Sequence, residues 1–161
     1  MTIKYFEELN PAKLEGYYSN EIELQSGTVK IDLNFESETL SPEKAELLNS
    51  FLNQVQDIVD RSWQLILEDY KNGNDVQEFI SFHLDDFFED DPEVILEGTD
   101  PNLDNKDRFM QTLRVNRIGF YPEDDDNYMI IDWMSNPELS NYILVVNYNS
   151  KNELDYITVE S

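Results

Sequence analysis

The spacing of apolar residues changes twice along the chain, and this constrains the fold more than any other feature. From Ile22 to Phe35 apolar side chains recur at alternate positions, Ile22 and Leu24 and then Val29, Ile31, Leu33 and Phe35, with Ser26-Gly27 between the two runs. Alternation around a glycine-containing turn predicts a β-hairpin with Glu21, Glu23, Lys30, Asp32 and Asn34 facing water. From Leu48 to Phe87 the spacing becomes three to four residues, the period of a helix. From Val115 onward it returns to two, over the segments 115–121, 127–134, 141–148 and 153–159. The connections between these four segments are short, so they predict an antiparallel meander.

The helical middle carries its own punctuation. Ser41-Pro42-Glu43 supplies an N-cap, a proline at the first helical position and an acid in the first turn. The stripe that follows, Leu48, Phe51, Val55, Ile58, Ser62, Trp63, Ile66 and Tyr70, predicts one long helix with room for a bend, stopping at Asn72-Gly73. A second helix is expected with Val76, Phe79, Ile80, His83, Leu84 and Phe87 on its buried stripe. Short helices are expected before Gly98 and over 106–113. The opening residues predict an extended piece and one helical turn. The fold expected is α+β: an antiparallel sheet formed by an N-terminal β-hairpin and a C-terminal four-strand meander, with a long helix and two or three shorter helices between them. Residues 1–161 form a single domain. The strands around Ile130-Ile131 and 143–146 are apolar on both faces, so they are expected to be central and covered on both sides, by helices on one and by the amino-terminal segment or a partner on the other.

Charge narrows the function. The chain holds 35 Asp and Glu against 11 Lys and Arg, a net charge of −24. Such a field repels phosphate backbones and anionic lipids, so nucleic acid and membrane are poor partners and a basic protein is the expected one. The 40% apolar and 12% aromatic content exclude a disordered acidic tail. There is no Cys, which removes disulfides, thiolate metal sites and a cysteine nucleophile. With no signal-like opening and no apolar run of membrane-spanning length, a cytoplasmic location is expected.

Catalytic motifs do not emerge. There is no G-x-S-x-G, no P-loop and no H-E-x-x-H, and His83 is the only histidine, on an apolar stripe where packing is its expected role. Asp100-Pro-Asn-Leu-Asp104 resembles the opening of a calcium loop, but Asn105 stands where the sharp turn needs Gly and Gln111 where a bidentate carboxylate is needed. Glu123-Asp-Asp-Asp126 reads as a solvated hairpin loop. No cofactor and no metal are therefore expected. The candidates that remain are partner contacts: Asp85, Asp86, Asp90 and Asp91 in the acidic run, Arg114 and Arg117 at the start of the meander, where the parity slips and predicts a bulge, and Tyr128 and Tyr142 on adjacent strands.

Four segments together, Lys4-Tyr-Phe6 with Tyr17-Tyr18, Ile31-Asp-Leu-Asn-Phe35, Arg114-Val-Asn-Arg-Ile-Gly-Phe-Tyr-Pro122 and Asp155-Tyr-Ile-Thr-Val-Glu-Ser161, resemble a bacterial family of small acidic proteins known only as a domain of unknown function. The resemblance spans essentially the whole chain. It implies no catalytic residue. By analogy with related small acidic proteins it points to a non-enzymatic protein-binding module, in particular a toxin-neutralising immunity protein. The alternatives are a divalent-cation-binding protein and a small enzyme without a familiar motif.

Overall fold

The computed structural model describes residues 1–161. The chain runs β1 (Tyr17–Leu24), β2 (Gly27–Asn34), α1 (Pro42–Asn53), α2 (Val55–Asn72), α3 (Asp75–Ser81), a π-helical turn (Phe82–Phe87), α4 (Glu93–Leu96), α5 (Asn105–Met110), and then β3 (Arg114–Phe120), β4 (Met129–Met134), β5 (Ile143–Tyr148) and β6 (Leu154–Glu160). The hairpin and the meander join in one six-stranded sheet whose spatial order is the chain order. The sheet is mixed, not wholly antiparallel as the sequence predicts. β2 and β3 run parallel, with Ile31 opposite Ile118 and Leu33 opposite Phe120. The helices between them form the crossover that a parallel pair requires.

The hairpin closes through Gln25 and Ser26, and Gly27 sits at φ 126°, a conformation that a Cβ disfavours. The side chain of Ser41 accepts the Lys44 N–H at 3.3 Å and caps α1. The long helix is broken once. At Gln54 (φ −113°, ψ 12°) the backbone N–H turns to Phe51 O, and the Gln54 side chain donates from Nε2 to the vacated Ser50 carbonyl at 3.0 Å. The apolar stripe continues through this break, which is why periodicity alone reads one helix. α2 then ends on Gly73 in the left-handed conformation, φ 73°.

The amino-terminal residues form turns and a single Ile3–Phe6 bridge, without the expected helical turn. Lys4 N donates to Asn49 Oδ1 at 2.9 Å, and Asn20 Nδ2 to Tyr5 O at 2.7 Å. These bonds pin the segment against α1 and the helix-facing side of β1, so it does not cover the second face of the sheet. The core lies between the helices and one sheet face. Phe51 meets Tyr128 at 4.7 Å and Phe120 at 6.2 Å, and Trp63 meets Trp133 at 5.3 Å. Ile31, Leu33, Ile118, Phe120, Ile131, Leu144 and Val146 belong to this core. Val145 and Met134, on the opposite face, are buried yet lie outside it. No helix covers that face; its central side chains are shielded by their neighbours.

Candidate protein-interaction surface

The helix α3 does not end at Ser81 but widens. Phe88 N bonds His83 O, an i→i+5 hydrogen bond of 2.8 Å, and this inserts a residue into the turn. The insertion carries Phe87 off the buried stripe on which its spacing predicts it, and Phe87 is 55% exposed. Its ring is not isolated. Tyr142, just before β5, stacks on Phe82 at 5.5 Å and meets Phe87 at 5.2 Å. Asp85 and Asp86, both exposed, sit on the same turn. Three aromatic rings therefore form a surface patch with carboxylates beside it.

His83 holds this patch from below. It is fully buried, within 4.7 Å of the Phe79 ring and 4.8 Å of the Phe109 ring. Nδ1 donates to Phe79 O at 2.8 Å, because a carbonyl can only accept, and Nε2 then accepts from the Ser140 hydroxyl at 2.7 Å. Burial lowers the imidazole pKa, and the bond to Phe79 O only partly opposes this, so the ring is neutral at pH 7. Ser140 Oγ also accepts the Tyr142 N–H at 3.2 Å. The result is a relay from the helix through His83 and Ser140 to the backbone of Tyr142. The Ser–His contact has the outline of a nucleophile and its base. However, the imidazole is sealed, and none of the five principal clefts is lined by either residue. The contact fixes the loop that presents Tyr142.

The other predicted residues do not gather here. Asp90 and Asp91 lie beyond the π-helical turn, exposed, on the approach to α4. Tyr128 is 1% exposed, packed between Phe51 and Phe120. It is a core residue and shares no surface with Tyr142. Its ring packs on the helix side, where strict alternation from Ile130 and Asp132 would place it on the other face; its N–H donates to Tyr148 O and its carbonyl accepts from Tyr121 N. Arg114 donates twice from Nη1, to Gln111 O and Leu113 O, both at 2.8 Å, and so closes the end of α5.

Arg117 builds a separate polar centre on the bare sheet face, beside the predicted bulge, which falls between Val115 and Arg117. It clasps Asp32 with two bonds, Nε to Oδ2 at 2.6 Å and Nη2 to Oδ1 at 2.8 Å, and reaches Asp132 at 3.4 Å and the Tyr121 hydroxyl at 3.0 Å. Asp32, expected to face water, is instead fully buried. Burial alone would lower the Arg117 pKa, but the hydrogen bonds to Asp32 and Tyr121 outweigh it and hold the guanidinium above its ordinary value. Burial raises the Asp132 pKa, and the nearby Arg117 only partly offsets it.

The acidic loops use their carboxylates as turn caps. Glu123 accepts the N–H groups of Glu36 and Ser37 at 2.8 and 3.0 Å, and Asp124 Oδ1 accepts those of Asp126 and Asn127, both at 3.0 Å. In the calcium-like segment, Asp104 caps α5 through the Asp107 N–H at 2.9 Å. No three Asp, Glu or His side chains converge where a metal ion could sit.

Sequence reasoning missed Phe82 and Phe87 as surface residues. The available signal is the pair Phe87-Phe88 at a point where the stripe needs only one apolar residue. A scan against protein-family models, a search of curated proteins and a search of solved structures each returned no match to this chain.

Proposed function

We propose that the protein is a non-enzymatic binding module for a basic partner protein. Phe87, Tyr142 and Phe82 form its aromatic anchor with Asp85 and Asp86 on the same turn, and Asp90 and Asp91, further along the chain, add to the acidic surface. One observation carries this reading: Phe87 is 55% exposed while its ring rests on Tyr142 beside two carboxylates. Its ring is part of a cluster of three rather than a lone exposed side chain, and clustered aromatic anchors in a polar surround are what binding hot spots are made of. The net charge of −24 adds long-range attraction for a cationic surface. The resemblance to small acidic bacterial proteins supports the finer reading, an immunity protein that neutralises a basic toxin in the cytoplasm. No helix is long and apolar enough to cross a membrane.

Affinity capture with three parallel baits tests this: the native protein, Phe87→Ser, and the fourfold Asp85, Asp86, Asp90 and Asp91→Lys variant. The expected result is one basic protein held by the native bait and lost by both variants. Its association rate should fall steeply with salt, as the screening length drops from about 8 Å at physiological ionic strength to about 3 Å at 1 M. Equal capture by Phe87→Ser, or an acidic partner, would overturn the proposal.

A further inference from the structure

A second site lies between the β1–β2 turn, α2 and the junction of α5 with β3, where a cleft of 570 Å³ opens. Its size suits a small molecule, and its lining is the most apolar among the principal clefts. Both tryptophans of the chain, Trp63 and Trp133, belong to it. Their rings lie 5.3 Å apart at 31°, with Trp133 buried and Trp63 half-exposed, so Trp63 is the indole more open to a ligand in the cleft. Met110, Leu113 and Val115 supply apolar walls.

The rim is polar and balanced. It holds one carboxylate, Asp60, and one guanidinium, Arg114. Asp60 stands three residues before Trp63 on α2, so the two share a helix face. Its Oδ1 accepts Gln56 Nε2 at 2.9 Å, while Oδ2 has no protein partner. Arg114 spends Nη1 on two backbone carbonyls and keeps Nη2 and Nε free. Gln25 and Gln64 add side-chain amides, each both donor and acceptor. The overall charge of −24 repels an anion, and the one carboxylate and one guanidinium on the rim give a fixed charge of either sign one partner and one opponent. A neutral ring with donors and acceptors on its edge has neither difficulty: it stacks on Trp63 and offers N–H to Asp60 and C=O to Arg114 or a glutamine amide.

We propose that this cleft binds an uncharged planar heterocycle whose edge carries adjacent N–H and C=O groups, a lactam of the kind found in oxopurines. The site is independent of the aromatic patch around Phe87, which lies on other elements. Because the chain has only two indoles and both are in the cleft, their ¹⁵N–H resonances report on it directly. The probe is inosine at millimolar concentration, against benzamidine, benzoate and toluene as cationic, anionic and edge-free rings. The expected result is a saturable shift of the indole resonances with inosine alone, weakened about tenfold or more in Asp60→Asn. Phe87→Ser should leave the shift unchanged. No shift with inosine, an equal or larger shift with benzamidine, benzoate or toluene, or undiminished inosine binding in Asp60→Asn would overturn the assignment.

Discussion

The two faces of the central sheet are equally dry at their middle, yet they are sealed by different means. On the covered face Ile31, Leu33, Ile118, Phe120 and Ile131 are shut away by a layer of helices. On the bare face the alternate residues of the same strands include Asp32, Gly119, Asp132 and Asn147, also buried, with no layer above them. Here the Arg117 guanidinium lies flat across β3, and its own side chain is 25% exposed while that of Asp32 is 1%. It can lie flat because residue 119 is Gly: an added Cβ would stand 2.5 Å from Nη2 and 2.8 Å from Cζ. One planar cation can therefore do locally what a layer of helices does. The difference lies in how each face fails. Apolar contacts are numerous and non-directional, so losing one is graded. The Asp32–Arg117–Asp132 group is a few directional bonds that depend on one another.

Removing the cation should break the comparison most sharply. Arg117→Met is expected to cost about 3–5 kcal/mol, because it strands Asp32 as a buried unpaired charge. Ile118→Val, its neighbour on the covered face, should cost about 0.5–1.5 kcal/mol. Urea unfolding at neutral pH measures both, and equal losses would mean the bare face is not held by this cluster. Gly119→Ala should come next, at about 1–3 kcal/mol, since the guanidinium must lift off its partners to admit the methyl group. A smaller effect, but a more specific one, concerns Asp132. Its native pKa is raised above the ordinary 3.8, so the stability it contributes is fully present below that value and is lost as pH rises through the native pKa. As pH falls from neutral toward 3.8, the native protein should gain stability relative to Asp132→Asn. Parallel pH profiles for the two would contradict this. Smallest of all, Lys30→Ala on the exposed part of the bare face should leave the urea midpoint unchanged.

Much of the fold is legible in the apolar spacing. It gives the strands, the hairpin at Gly27, the bulge beside Arg117, and the cap at Ser41, because each is decided by residues close in sequence. What it does not give depends on distant ones. Asp32 has the parity of a solvent-facing residue, and only the approach of Arg117 makes its burial affordable. The direction of β3 beside β2 is set by the crossover, which leaves no mark in either strand. Tyr128 and Tyr142 look equivalent by alternation, but Phe51 claims the first for the core, and the second emerges beside a widened turn that no local periodicity announces. The candidate surface was half legible for the same reason: the acidic run and Tyr142 are visible in the sequence, but the displacement of Phe87 is not.

The parallel seam between β2 and β3 also has a kinetic meaning. The bond from Arg117 to Asp32 spans 85 residues, while the pairs within the hairpin and within the meander are local. Closing so long a loop costs entropy before any contact rewards it. The two halves of the sheet should therefore meet in the rate-limiting step of folding. Ile31→Val and Ile118→Val, which face each other across the seam, should each slow refolding in stopped-flow experiments. If they accelerate only unfolding, the seam zips after the barrier, and the slow event lies elsewhere in the chain.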